Sequence, residues 1–244
     1  VIIVLTIFAM TFDLRPIQIN GVPLAYPYPD PLHNISIRLT FYMQESLLPE
    51  DVSLIQTAPG QALFSQIYVS MLIGLTVSIP FIMREISAFI SPAISTKTKI
   101  GLVNIFLPSI ALFIAGIAFS YFLVIPYVLD FLYQYGQALN ADTFFTINNF
   151  ISFVLQFLLG FGIAFQLPIL MYGISLTGAI SPSFWRVNFR YAALLLVIFG
   201  ALITPDGSGV TMWFIAIPMV LLYLAGMLIV ERRAARVAAL ETNT

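Results

Sequence analysis

Cysteine is absent from the 244 residues, which excludes disulfides, thiol nucleophiles and thiolate metal sites. Histidine occurs once, at His33, in a polar stretch where a lone imidazole is ordinarily solvated. Charge is scarce too: 9% of the residues are Asp, Glu, Lys or Arg, against about 25% in an ordinary soluble domain. The sequence has no His–carboxylate set, no glycine-rich phosphate loop and no metal-spaced cluster. Gly207-Ser208-Gly209 follows no strand and lacks a lysine, and Ser208 has no histidine to activate it. The pattern argues against an enzyme and implies no cofactor and no metal. The net charge of -1 carries no signature of nucleic-acid binding.

What is abundant is apolar surface. Hydrophobic residues make up 60% of the chain and mean hydropathy is +0.98. This is the composition of an all-α integral membrane protein. Val1 to Phe12 reads as the outer end of a first transmembrane helix whose start is missing. Asp13-Leu14-Arg15-Pro16 stops it, and residues 13–60 read as a structured extracytoplasmic cap. Within the cap, the prolines of Tyr26-Pro27-Tyr28-Pro29-Asp30-Pro31 rule out a regular helix. Ile35-Ser36-Ile37-Arg38-Leu39-Thr40-Phe41 alternates with period two and is expected as a strand. Asn34-Ile35-Ser36 is a formal glycosylation triplet of little weight.

Five further apolar segments follow: Gln61–Met83, Ile100–Ile125 (interrupted by Pro108 and closed by Pro126), Phe150–Leu176, Tyr191–Ile203 and Val210–Val230. Between the second and third of these, a short helix is expected around Leu129–Leu139. The connections at 84–99 and 178–190 are expected as loops, and 231–244 as a tail. With the first segment this makes six spans in one membrane domain, 1–244. Tyr191–Ile203 has thirteen residues, about 20 Å at 1.5 Å per residue, against a hydrocarbon core of about 30 Å. The last two spans read as short.

The charges sort by side. Arg84, Lys97, Lys99, Arg186, Arg190, Arg232, Arg233 and Arg236, eight of the ten basic residues, fall in the two loops and the tail. Asp13, Asp30, Glu45, Glu50, Asp51, Asp130, Asp142 and Asp206, eight of the eleven acids, fall on the opposite side. The positive-inside rule then assigns both termini to the cytoplasm of a multi-pass protein.

Three amides lie in the apolar segments: Asn104, Gln156 and Gln166. Gln166 is the most exceptional, near the middle of a charge-free segment and two residues before Pro168. An amide at that depth is costly unless paired, and the proline removes a backbone donor. It serves either as an interhelical hydrogen bond or as a polar point in a groove where a partner's helix or peptide docks. Pro80, Pro108, Pro126 and Pro168 bend or end helices, which favours a concave bundle. Glu85, the one carboxylate in the two basic loops, either pairs with Arg84 or a lysine or receives a cationic ligand.

Five motifs in this order resemble TatC, the multispanning subunit of the twin-arginine protein translocase. They are Phe89-Ile90-Ser91-Pro92-Ala93; Ala118-Phe119-Ser120-Tyr121-Phe122 with Pro126; Phe161-Gly162-Ile163-Ala164-Phe165-Gln166-Leu167-Pro168; Thr204-Pro205-Asp206; and Ala216-Ile217-Pro218. The resemblance spans about Thr57 to Val230. It implies a six-helix fold like a cupped hand, braced by the cap. It also implies a receptor that binds twin-arginine signal peptides of folded precursors and recruits single-span TatA- and TatB-type subunits, with transport driven by the proton-motive force. An oligomeric complex in contact with membrane lipid is part of that expectation.

By position, the resemblance puts Phe89 and Pro92 in the signal-binding loop. It puts Thr204 and Asp206 near the small-subunit contact, and Gln166 at a concave-face site that is a glutamate in many relatives. Thr98 stands where the family carries an acidic contact for the arginine pair, between Lys97 and Lys99. Either Glu85, about one turn before Phe89, replaces it, or the N-terminal part expected before Val1 carries the recognition. The runner-up is a small-solute transporter with its site near Gln166, although the halves show none of the repeats such carriers often have.

Overall fold

The computed structural model describes residues 1–19, 22–48, 52, 54–90, 103–139, 144–178, 180–204 and 209–241. The order is α1 (Ile2–Thr11), β1 (Phe12–Ile19), β2 (Val22–Pro29), α2 (Ile35–Leu47), β3 (Leu54–Ile55), α3 (Gln61–Ile90) and α4 (Val103–Phe119), then a π-helical turn (Ser120–Val124). It continues with α5 (Ile125–Ala138), β4 (Phe145–Thr146), α6 (Ile147–Ala164), α7 (Leu167–Leu176), α8 (Pro182–Val187), α9 (Phe189–Ile203) and α10 (Gly209–Glu241). Among the described residues, four helical stretches are long and apolar enough to cross a membrane: Gln61–Ile79, Leu107–Ala138, Ile147–Leu176 and Gly209–Val237. Two shorter apolar helices, α1 and α9, fall where the first and fifth segments were expected.

The chain divides into two compact units. The first comprises Val1–Ile79 and Ile125–Leu155. Here β1 and β2 form an antiparallel hairpin with Ile19 opposite Val22 and Phe12 opposite Pro29. The expectation of no helix over 26–31 holds, with extended backbone to Pro29.

The expectation of a strand over 35–41 does not hold: α2 is a helix. Asn34 caps it, its Oδ1 accepting the Ile37 N–H at 3.0 Å. The buried residues of α2 are Ser36, Met43 and Leu47, a helical stripe, while Phe41 and Tyr42 are exposed. The alternation misled because the inward face carries small hydroxyl residues and the outward face carries aromatics. Asn34 Nδ2 also donates to the carbonyls of Met10 at 2.6 Å and Pro31 at 2.9 Å. A fully buried amide with these bonds is no glycosylation site. Arg38 reaches Asp13 at 3.3 Å, so the start of β1, just past α1, is tied to α2. Gly74 of α3 admits α1 closely: a Cβ there would sit 2.5 Å from Thr6 Oγ1 and 2.9 Å from the Ile2 carbonyl.

The second unit comprises Pro80–Val124 and Gln156–Thr244. In it, α10 packs against α7, α8 and α9, and α4 packs against α7. Four expectations are corrected. Pro126 does not close the third segment. It lies at the second position of α5, and the wide turn at Ser120–Val124 absorbs the place where its missing N–H would break the ladder. The 84–99 connection begins later than expected, since α3 continues to Ile90. The 178–190 connection contains α8, with Pro182 in its first turn. Finally, the last helix is not short. The 33-residue α10 carries the expected tail as helix to Glu241, held in part by an Arg186–Glu231 ion pair. By contrast α9, at 15 residues, rises only about 22 Å.

Candidate functional site

The segment with the amide and the proline is broken where both residues meet. Pro168 has no N–H to give the Ala164 carbonyl, so α6 ends at Ala164 and α7 begins at Leu167. Gln166 stands at the N-cap position of α7, yet its side chain does not cap. Instead its Nε2 donates to the Ser109 carbonyl of α4 at 3.1 Å. Gln166 is 5% exposed and its Oε1, equally buried, has no hydrogen-bond partner among the described residues. An acceptor left unpaired inside a protein costs about 1–3 kcal/mol. The interhelical reading is therefore half satisfied: one end of the amide is bonded and the other is free.

Glycine makes this close approach possible. A Cβ on Gly116 would meet the Phe161 carbonyl at 2.7 Å, and one on Gly162 would meet the Phe113 ring at 2.7 Å. From the other side Gly226 of α10 admits Pro168, whose Cα would lie 2.9 Å from an added Cβ. The Phe119 ring packs at a tilt against Phe161 and Phe165, with centroids 5.5 and 5.6 Å apart. The break is thus locked between α4 and α10 and has little freedom to straighten. Small residues where helices approach are the general signal for such contacts, and these glycines carried it in the sequence.

The other expected residues do not gather around Gln166. Glu85 is exposed on α3 and forms no ion pair among the described residues, and Arg84 beside it is exposed as well. Phe89 lies on the last turn of α3, at i+4 from Glu85 and so on the same face. Pro92, Thr98 and Asp206 lie outside the described residues. Thr204 is buried, and its hydroxyl turns back on α9 to the carbonyls of Gly200 and Ala201, each at 3.2 Å. Of the other two amides, Gln156 is exposed and Asn104 lies on α4.

Two features were not anticipated from the sequence. An apolar cavity of about 490 Å³ opens between α6, α7, α9 and α10, lined by Ile163, Leu167, Leu170, Leu195, Leu202 and Met219 among others. Below it a polar corner is fastened by tryptophan: Trp185 Nε1 donates to Ser175 Oγ at 2.9 Å, and the Tyr223 hydroxyl donates to the Trp185 carbonyl at 2.9 Å. Each partner there is a single residue on a different helix, which no local pattern marks.

Comparison with known proteins gives one consistent result. The family model described as Sec-independent protein translocase protein (TatC) matches residues 1–218. The Sec-independent protein translocase protein TatC of Cenarchaeum symbiosum (strain A) is 52% identical over 229 residues, 93% of this chain and 86% of that protein. The protein of the same name from Aquifex aeolicus (strain VF5) is 36% identical over 174 residues, 71% of this chain and 72% of that protein. Among solved structures, the crystal structure of the twin arginine translocase receptor TatC matches with a TM-score of 0.72 at 32% identity. That match covers 80% of this chain and 86% of the other.

Proposed function

Because the chain belongs to the TatC family of Sec-independent protein translocases, we propose that it is the receptor and core subunit of a twin-arginine translocase. It binds the twin-arginine signal peptides of folded precursor proteins and recruits single-span subunits of the TatA and TatB type for export driven by the proton-motive force. It works as a multi-pass protein of the cell membrane with both termini cytoplasmic, in an oligomeric complex, and has no catalytic activity. One observation carries this reading: the likeness in both fold and sequence to a twin arginine translocase receptor. The small-solute transporter is not favoured, since the family and the fold both point to protein translocation.

A pair of arginines needs acceptors, and charged acceptors bind them most strongly. Glu85, exposed on α3, gives a carboxylate for a guanidinium, and Phe89 follows one turn later on the same helix. Pro92 and Thr98 belong to the same loop by position. Gln166 offers its unpaired Oε1 to a donor of the inserted peptide. For the single-span partners, α9 offers Leu194, Leu195, Ile198 and Leu202, all exposed, and ends at Thr204, two residues before Asp206 in the sequence.

The test uses the full-length protein in its own membrane and a photo-crosslinker in a twin-arginine signal peptide. The precursor and single-span partners should co-purify, and replacing the arginine pair by lysines should abolish the crosslink. Failure of both sinks the receptor reading. Glu85→Ala should weaken crosslinking by about tenfold, the loss of one charge-assisted bond. Unchanged crosslinking would remove Glu85 from the site while leaving the receptor reading in place.

A further inference from the structure

A second cavity, about 310 Å³, lies where α7 ends and α8 begins, against the far part of α10. Tyr172, Ser175, Pro182, Val230, Arg233 and Val237 line it. Its polar groups are donors. Ser175 Oγ already accepts the Trp185 indole N–H, and its own O–H has no acceptor among the described residues. The Tyr172 hydroxyl likewise makes no hydrogen bond among them. Arg233 lies over the Tyr172 ring at 5.2 Å and has no carboxylate partner among the described residues. Glu231, the nearest acid on α10, is turned to Arg186. The last carbonyls of α7, which would repel an anion, are occupied: Ile174 O accepts from Thr177 N and Oγ1, and Ser175 O accepts from Gly178 N.

A half-buried guanidinium, two spare hydroxyl donors and no carboxylate make a site for an acceptor-only anion. We propose that this cavity binds a phosphate ester, with Arg233 as the charged fork and Ser175 and Tyr172 as the flanking donors. Its depth favours the head group of an anionic phospholipid. The apolar run of α10 ends at Val230, and Glu231, Arg232, Arg233 and Arg236 follow directly, the position along a spanning helix where head-group phosphates lie. The apolar wall at Val230, on the hydrocarbon side of Arg233, then faces the start of the acyl chains. The proposal stands apart from the receptor reading and uses none of its residues.

The test places the full chain in phosphatidylcholine nanodiscs, titrates phosphatidylglycerol, and counts retained lipid by native mass spectrometry. With Trp213→Phe as background, Trp185 is the sole indole and reports on Ser175 through their hydrogen bond. The expected result is one saturable phosphatidylglycerol per chain with a shift in Trp185 emission. Arg233→Gln should weaken retention by about tenfold or more, the loss of a charge-assisted bond. Arg236→Gln, exposed and outside the cavity, should leave it within about twofold, as expected of a single screened surface charge. Ser175→Ala, judged by lipid count at unchanged helical circular dichroism, should weaken it as well. Inorganic phosphate that displaces the lipid and reproduces the emission shift makes soluble phosphate the source; no displacement makes it the lipid. Equal effects of Arg233→Gln and Arg236→Gln, or none from either, would overturn the site. Preferential displacement by a soluble glutamate peptide would overturn it in favour of an acidic protein segment.

Discussion

Replacing Gln166 by leucine separates what the amide does for folding from what it does for transport. The substitution removes the Nε2 bond to the Ser109 carbonyl, worth about 0.6 kcal/mol and at most about 1.7 inside a membrane bundle. It also removes Oε1, a buried acceptor with no partner among the described residues, whose presence costs about 1–3 kcal/mol. At the middle of each range the second effect is the larger. Gln166→Leu is therefore expected to lie between nearly neutral and about 2 kcal/mol more stable. Gln166→Ala loses the same polar atoms but leaves a void between α4 and α10, so it should be less stable than the leucine variant by about 1–3 kcal/mol. The chain has no cysteine for thiol-reactive dyes. The assay is equilibrium unfolding in mixed micelles followed by tryptophan emission, with signal-peptide crosslinking and export measured on the same variants. Crosslinking and export should fall for both while stability rises or holds for leucine. Destabilisation by leucine of more than about 1 kcal/mol would show that Oε1 has a partner, refuting the argument from the unpaired acceptor. Intact export in the leucine variant would remove Gln166 from the binding site.

Four other substitutions test the local packing and bonding. Gly116→Ala gains about 1 kcal/mol of helix propensity but pushes a methyl to 2.7 Å from the Phe161 carbonyl, so a net loss of about 1–2 kcal/mol is expected in mixed-micelle unfolding. Gly209→Ala, with nothing within 4 Å, should not lose stability. Asn34→Ala removes the cap of α2 and two buried bonds to the carbonyls of Met10 and Pro31, together about 3 kcal/mol. Limited proteolysis should then cut within 12–48 well before the spanning helices. Tyr223→Phe removes the bond to the Trp185 carbonyl, about 1 kcal/mol, and should shift Trp185 emission without changing helical content.

Much of the architecture was legible because it rests on composition and on single residues with strong local effects. Apolar runs of membrane length announce the spans, since a bilayer rewards little else. The break at Gln166–Pro168 could be read from the proline alone, because its missing N–H acts on the Ala164 carbonyl whatever the neighbours are. The motifs also pointed to the family that the comparisons show. Local rules failed where a neighbour decides. Ile35–Phe41 alternates like a strand, yet Asn34 caps a helix there and Ser36, not an isoleucine, lies fully buried. Pro126 looks like a terminator, yet the wide turn before it lets the helix pass.

By itself the sequence determined that the chain is helical and membrane-spanning, where most helices lie, and that Gln166 sits at a break in one of them. Hydropathy and a missing N–H are properties of the residues themselves. Only the tertiary structure decided that one end of the Gln166 amide is bonded and the other is not. It alone brought Ser175, Trp185 and Tyr223 into one corner and left Arg233 facing a cavity with no counter-charge among the described residues. Hydrogen bonds and ion pairs act over a few ångströms, so their partners are set by which helices touch rather than by their spacing along the chain.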